Sequence, residues 1–177
     1  MHKLLAALGQ GCDGVVIHGP VGSGRTVVSR QLCRVAGGLV HELTNPPLDF
    51  EPSLVDQFRK PLESDRNQTT GLLRIDGLTL VHRGWEGLAF CTALSAFRPV
   101  FVASTAWWLW HRNSFGPNWH DACLKLLNPA EIEHLANGMR WRDDPKSKPL
   151  DSVTIKAIDV ESEGIARQVV EFALRAS

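Results

Sequence analysis

Short apolar runs alternate along the chain with stretches in which apolar residues recur every three or four positions. The runs predict buried strands at 15–17, 39–43, 72–75, 99–104 and 153–158. Helical spacing predicts helices at 3–9, 25–35, 53–66, 85–97 and 164–175, and a mainly helical region at 106–142. Strands that alternate with helices predict an α/β fold, with three α-β-α layers around a mainly parallel sheet of about five strands.

Length and composition favour a single domain over residues 1–177, with a tryptophan-rich helical arm at about 106–142. Hydrophobic residues make up 44% of the chain, which is enough to build a buried core. Lys and Arg together number 19, as do Asp and Glu, so the formal net charge is zero. This balance argues against a surface devoted wholly to nucleic acid and leaves room for a local basic patch.

The sequence predicts a cytoplasmic protein without a membrane span. No apolar run approaches the roughly 18 residues that a span needs, and the apolar start at 1–8 is too short for a secretory signal. The four cysteines lie far apart and form no CxxC pair, which is typical of reduced core thiols. They are Cys12, Cys33, Cys91 and Cys123.

The segment 19–26 has the spacing of a phosphate-binding loop, Gly-x4-Gly-Arg-Thr, between a predicted strand and a predicted helix. Glycines let the backbone direct several N–H groups at one anion, and the helix that follows adds its free N–H groups and its dipole. The Thr26 hydroxyl is a candidate ligand of Mg²⁺, and Arg25 is a candidate partner of the outer phosphates. The candidate nucleotide-binding residues are Gly19, Val21, Gly22, Ser23, Gly24, Arg25, Thr26 and Val27.

Arg25 stands where this motif usually has lysine. Lysine is a compact charge that fits among phosphate oxygens, whereas arginine is a planar fork that pairs well with phosphate. The substitution therefore favours phosphate binding over phosphate transfer.

The motifs at 15–18, 19–26, 72–76 and 101–105, in this order, resemble the P-loop NTPase superfamily, with a variant Walker A motif. The additional-strand branch, which contains AAA+, RecA-like and FtsK-like ATPases, is the most similar. The resemblance implies ATP and Mg²⁺ as cofactors, with Asp76 at the end of its strand holding Mg²⁺ through water. It also implies assembly into rings or filaments that act on nucleic acid or protein.

The resemblance further implies two candidate catalytic residues, Glu42 and Ser104. Many relatives have glutamate directly after the strand-terminal aspartate, where this chain has Gly77, and Glu42 at the end of the second strand is a substitute. Ser104 corresponds to a polar residue that contacts the γ-phosphate or the attacking water. The alternatives are a turn-forming Asp76, an exposed strand-end carboxylate for Glu42, and a helix cap for Ser104.

Four tryptophans lie close together among basic side chains, and three explanations for them stay open. They pack in the core, form a protein interface, or stack on nucleic acid or a substrate. Trp107, Trp108 and Trp110 cannot share one helix face, so at least one is expected near the surface. The tryptophans and their basic neighbours are Trp107, Trp108, Trp110, Trp119, His111, Arg112 and His120.

The leading hypothesis is an ATP-binding subunit of motor or switch type in an oligomeric assembly, with weak or partner-dependent hydrolysis. A first alternative is a small-molecule or nucleotide kinase with Arg112, Arg140 or Arg142 over the phosphates. A second is a degenerate assembly subunit that does not depend on nucleotide. The tryptophan-rich arm is the expected contact with a protein or nucleic-acid partner.

Overall fold

The computed structural model describes residues 1–51, 53–54, 71–90, 97–143 and 145–175. The strands are β1 (Gly14–Gly19), β2 (Leu39–Thr44), β3 (Gly71–Leu78), β4 (Phe97–Ser104) and β5 (Trp119–Cys123). The helices are α1 (His2–Gly9), α2 (Arg25–Ala36), α3 (Thr105–His111), α4 (Pro129–Asp143), α5 (Ser152–Ser162) and α6 (Ala166–Arg175). Short 3₁₀ helices cover Trp85–Phe90 and Arg112–Ser114.

The five strands pair in parallel in the order β2-β3-β4-β1-β5, as predicted for an α/β fold with a parallel sheet. β1 lies between two strands, and every residue in it is buried. This position explains its unbroken β-branched run, because a strand covered on both faces has no polar side.

Alternate residues of β3 face different layers. Leu73 and Ile75 join Trp85, Phe101 and Trp107 in an aromatic-rich core. Arg74 points the other way, toward Ser29 of α2. Helices therefore cover both faces of the sheet, in agreement with the predicted three layers.

The fifth strand is not where the sequence pattern placed it. Residues 153–158 lie inside helix α5, whose N-cap Asp151 accepts a 2.7 Å hydrogen bond from the Thr154 N–H. Ile155 and Ile158 are buried at helical spacing, so the alternation of apolar residues at 153 and 155 was a misleading strand signal.

Residues 119–123 supply the fifth strand, inside the region that was predicted to be helical. β5 pairs with β1, and Gly14 lies opposite Trp119 in the register. The indole of Trp119 stacks on Phe101 at 5.5 Å, and a Cβ on Gly14 would come within 2.5 Å of it. Residues 106–142 are thus a short helix, a strand and a second helix rather than a helical arm.

The chain packs as two compact units, Met1–Gly19 with Arg25–Cys123, and Pro20–Gly24 with Leu124–Ser177. The first holds the sheet with α1 to α3. The second has its own apolar core between α4, α5 and α6, formed by Ile132, Ala136, Ile155, Ile158, Val169 and Ala173. The prediction of a single domain stays a prediction.

Three further expectations concern the helices and cysteines. Most of the helix predicted at 53–66 and the second half of that at 85–97 lie outside the described residues. Cys12 and Cys33 are buried thiols as predicted, whereas Cys123 is exposed and Cys91 is not described. Within the described part of the chain, no helix has the length and apolar character to cross a bilayer.

Candidate functional site

The Gly-rich loop between β1 and α2 has the backbone that its sequence predicts. Gly22 and Gly24 have φ of +80° and +86°, in the left-handed region that favours glycine. The Ser23 N–H donates to the Pro20 carbonyl at 3.3 Å. A Cβ on Gly22 would collide with Cγ2 of Ile165, so glycine is required there for space as well as for conformation.

The first turn of α2 places Arg25 against the end of β4. Its Nη1 donates to the backbone carbonyl of Ala103. Burial lowers the pKa of Arg25, and the nearby charge of Asp76 opposes that effect. Val27, another predicted contact of the nucleotide, is 70% exposed.

A fully buried arginine, Arg74, joins the strand-end carboxylates that the sequence singled out. Its Nε and Nη2 donate to the two carboxylate oxygens of Glu42 at 3.1 and 2.8 Å. Its Nη1 donates to Asp76 Oδ2 at 2.6 Å and to the Ser29 hydroxyl at 3.2 Å. Ser29 in turn donates to the Thr26 carbonyl at 3.0 Å. We call Glu42, Arg74, Asp76 and Ser29 the Arg74 cluster.

Strand register builds the Arg74 cluster. Glu42 of β2 is the direct partner of Arg74 in the parallel pairing with β3, so the two side chains share a face. Asp76 lies two residues further along β3 and therefore faces the same side. Both acids are candidate site residues in the sequence analysis, whereas Arg74 is not. Opposite charges two residues apart on one strand, at positions 74 and 76, were the feature of the sequence that could have identified Arg74 as part of the site.

The cluster is electrostatically satisfied within the protein. Burial by itself would lower the pKa of Arg74, but its hydrogen bonds to Glu42 and Asp76 outweigh this effect and raise the pKa. The hydrogen bond from Arg74 lowers the pKa of Glu42, which therefore stays ionised in mildly acidic solution. Fixed in this way, Glu42 is a poor general base for water, because its two oxygens already accept charged donors.

The same contacts bear on the predicted Mg²⁺ ligands Thr26 and Asp76. A metal site uses the negative charge of its carboxylate ligand, whereas Oδ2 of Asp76 already accepts a hydrogen bond from the Arg74 guanidinium at 2.6 Å. The Asp76 side chain is only 9% exposed, so little solvent reaches it. As arranged, Asp76 does not fit a Mg²⁺ site, because the buried positive charge of Arg74 lies against it. The assignment of Thr26 and Asp76 as metal ligands stays a prediction.

Gly77 occupies a bulge that explains why no glutamate follows Asp76. The register of β3 against β4 shifts between Asp76 and Leu78, which leaves Gly77 as an extra residue. Its φ is +109°, whereas a Cβ added at this position would lie 3.7 Å from its nearest neighbour. Glutamate is disfavoured there by backbone conformation rather than by lack of space.

Ser104, the second predicted catalytic residue, ends β4 and caps α3. Its hydroxyl accepts a 3.2 Å hydrogen bond from the Trp107 N–H. The capping alternative is therefore observed. A catalytic role for Ser104 stays a prediction.

A histidine–aspartate pair at the end of β1, formed by the buried His18 and by Asp121, was not recognised in the sequence. Nε2 of His18 lies 3.0 Å from Asp121 Oδ2, and the His18 side chain is 6% exposed. Nδ1 of His18 is buried and has no hydrogen-bond partner within the described residues. Because β5 was predicted as helix, the sequence could not place Asp121 beside β1.

The tryptophans divide between core and surface. Trp107 is fully buried in the aromatic core, and Trp108 and Trp119 pack against Phe115. Trp110 is 77% exposed, which confirms that not all of them share one helix face. Core packing is therefore observed for Trp107, and a protein or nucleic-acid contact through the exposed Trp110 stays a prediction.

The arginines predicted to lie over phosphates in a kinase differ in their surroundings. Arg140 donates to the Lys148 carbonyl at 3.0 Å. Arg112 and Arg142 are exposed.

No family model matches the sequence, and a comparison with curated proteins gives no match. Solved structures are similar in fold. A variant of RuvB from Thermotoga maritima superposes with a TM-score of 0.71 at 16% identity, over 98% of this chain and 59% of that one. RuvB described as a Holliday junction branch migration motor gives 0.66 at 17% identity, over 97% and 57%.

A second kind of protein has the same fold. A Signal Transduction ATPase with Numerous Domains, with a tetratricopeptide repeat sensor, from Pyrococcus horikoshii gives a TM-score of 0.63 at 15% identity. The match covers 96% of this chain and 28% of that one. The chain thus has the α/β fold of P-loop ATPases, and it spans little more than half the length of the RuvB chains.

Proposed function

We propose that this chain is an ATP-binding P-loop domain of switch or motor type that works within an oligomeric assembly. The observation that carries the proposal is the loop at 19–24. Two glycines with positive φ lie between a buried strand and a helix that begins at Arg25. Such a backbone presents N–H groups to an anion, and the helix start adds its own.

The side chains at the start of α2 are consistent with phosphate binding. Arg25 is a guanidinium with several donors, of which one is used on the Ala103 carbonyl. Arginine pairs with phosphate oxygens through two parallel hydrogen bonds, which lysine cannot do. We propose that Arg25 turns from the Ala103 carbonyl to the phosphates when a nucleotide binds.

Weak hydrolysis is the second part of the proposal, and three local features support it. Glu42 is bound on both oxygens by Arg74, so it cannot readily take a proton from water. Gly77 provides no carboxylate, and its conformation disfavours one. Ser104 is engaged in a helix cap. We therefore propose that a partner must supply missing catalytic groups if turnover occurs.

Partner contact is proposed for the surface around Trp110. The indole is 77% exposed and Leu109 beside it is 53% exposed, with the basic side chain of Arg112 following. Large exposed apolar side chains next to a basic group are typical of protein interfaces and of stacking on nucleic acid. The fold is shared with the RuvB branch migration motor and with a signal-transduction ATPase. The proposal therefore includes both a protein and a nucleic acid as the partner of this surface.

A nucleotide-independent assembly subunit is the second candidate function. The observation that favours it is that Arg25, Arg74, Glu42 and Asp76 already have partners within the protein. A site whose charges cancel internally can persist as structure after nucleotide binding is lost.

Calorimetric titration with ATP separates the two candidates. We expect wild-type protein to bind ATP, and Arg25→Ala to bind about ten- to a hundredfold more weakly, as expected for one lost charged hydrogen bond. Arg34→Ala, an exposed arginine at the other end of α2, is the matched control and should bind like wild type. Absence of ATP binding by wild type would support the assembly subunit and refute the leading proposal.

A further inference from the structure

The carboxylates at the carboxyl end of β3 already have cationic partners within the protein. Arg74 contacts Glu42 and Asp76 directly, and Arg25 is close enough to Asp76 for the two charges to interact. The Arg74 guanidinium thus lies directly against both carboxylates. A P-loop site of the kind that the sequence resembles would instead bring a divalent cation to the aspartate.

Arg74 is held in place more firmly than an ordinary surface arginine. Its side chain is 0% exposed, and four hydrogen bonds of 2.6 to 3.2 Å connect it to Glu42, Asp76 and Ser29. A guanidinium has five N–H donors, so only one is left beyond these contacts. The bidentate pair with Glu42 fixes the plane of the group.

We propose that the Arg74 guanidinium takes the place of a divalent metal ion beside Asp76, so that the chain binds a nucleoside polyphosphate that carries no metal. The inference rests on the proposed function, because it concerns the form in which the nucleotide is bound. It accounts for a cation placed on the predicted metal ligand, and it leaves Arg25 as a charged hydrogen-bond partner for the outer phosphates.

The geometry also opposes the entry of a metal. A cation that bound Asp76 Oδ2 would have to displace Arg74 from a 2.6 Å contact. The displaced guanidinium would stay buried, and an unpaired buried charge is strongly unfavourable. Arg74 would in addition repel a divalent ion at close range.

The test compares ATP binding by wild-type protein in excess Mg²⁺ and in EDTA, by calorimetric titration. We expect the two dissociation constants to agree within about threefold. Binding that needs Mg²⁺ would overturn the inference and leave the proposed function standing. Absence of binding in both solutions would overturn the proposed function, and the inference with it.

Two variants sharpen the test. Arg74→Leu makes residues 72–75 uniformly apolar and removes the cation from Asp76. We therefore expect ATP to bind this variant at least about tenfold more tightly in Mg²⁺ than in EDTA. Arg34→Leu is the matched control and should show the wild-type ratio. A folded Arg74→Leu protein that stays indifferent to Mg²⁺ would overturn the inference.

Because the loss of a buried, paired charge can prevent Arg74→Leu from folding, Asp76→Asn gives an independent measurement. Asparagine keeps the shape of the side chain and is a weaker metal ligand. We expect ATP binding by Asp76→Asn to be as indifferent to Mg²⁺ as that of wild type. Titration of Mn²⁺ followed by its electron paramagnetic resonance signal should likewise show no site that the substitution removes. A Mn²⁺ site that disappears in Asp76→Asn would overturn the inference.

Discussion

At the scale of single residues, Arg74 determines the charge and the hydrogen bonding of the site. The sequence predicted its neighbour Glu42 as a catalytic residue and Asp76 as a Mg²⁺ ligand; these roles stay predictions, and the structure brings both side chains to one guanidinium. What the sequence could not provide was the alignment of β2 with β3, because register depends on long-range pairing. Arg74 was therefore not among the candidate site residues, although it is the centre of the cluster.

Acidification should weaken the contact between Glu42 and Arg74. The pKa of Glu42 is lowered in the folded protein, chiefly by the hydrogen bond from Arg74, so its stabilising effect is complete above the ordinary glutamate pKa. That effect is lost as the pH falls from about 4.3 through the lowered value. Since the side chain is 42% exposed, we expect a contribution of no more than about 1 kcal/mol.

Denaturant unfolding of wild type and Glu42→Gln checks this expectation. The free energy of unfolding should be higher for wild type at pH 7, and the difference should shrink as the pH is lowered below the glutamate pKa. A difference that stays constant over this range would mean that ionisation of Glu42 is not involved.

At the scale of elements, strands and helices with strong local signals were predicted and those with mixed signals were not. β1 is a β-branched run, and α2 has apolar residues at helical spacing, so both were placed correctly. β5 is short and mostly exposed, with histidine and aspartate at its centre, and pairing with β1 decides its structure. α5 begins at a cap that outweighs its strand-like alternation.

Substitution of Gly77 by glutamate should destabilise the bulge in β3. Because φ is +109°, Gly77→Glu is expected to lower the free energy of unfolding by about 1–3 kcal/mol, with no gain in ATP turnover. Gly77→Ala is the control for the backbone cost alone and should lose a similar amount. Unfolding curves and phosphate release measure the two effects. A stable Gly77→Glu protein with faster turnover would show that the bulge adapts.

The cap at the start of α3 should be replaceable by another capping residue. Ser104→Ala removes the acceptor of the Trp107 N–H and should cost about 1 kcal/mol of stability, whereas Ser104→Asn should lose only a few tenths. Thermal or denaturant unfolding distinguishes the two. Equal destabilisation by alanine and asparagine would indicate that the hydroxyl has a different structural role.

At the scale of the whole molecule, the predicted α/β architecture is confirmed by the all-parallel sheet and by similarity to P-loop ATPase structures. The identity is only 15–17% in the structures compared, so the shared fold says little about which side chains do the work. Function must therefore be argued from the loop at 19–24 and the Arg74 cluster.

The loop at 19–24 and the start of α2 are proposed to bind nucleotide phosphates. The most direct measurement is a titration of isotope-labelled protein with ATP, followed by the backbone amide resonances. We expect the largest shifts at Gly22, Gly24, Arg25 and Thr26, and much smaller ones with adenosine, which has no phosphates. Shifts confined to other parts of the chain, or no shifts at all, would contradict the claim.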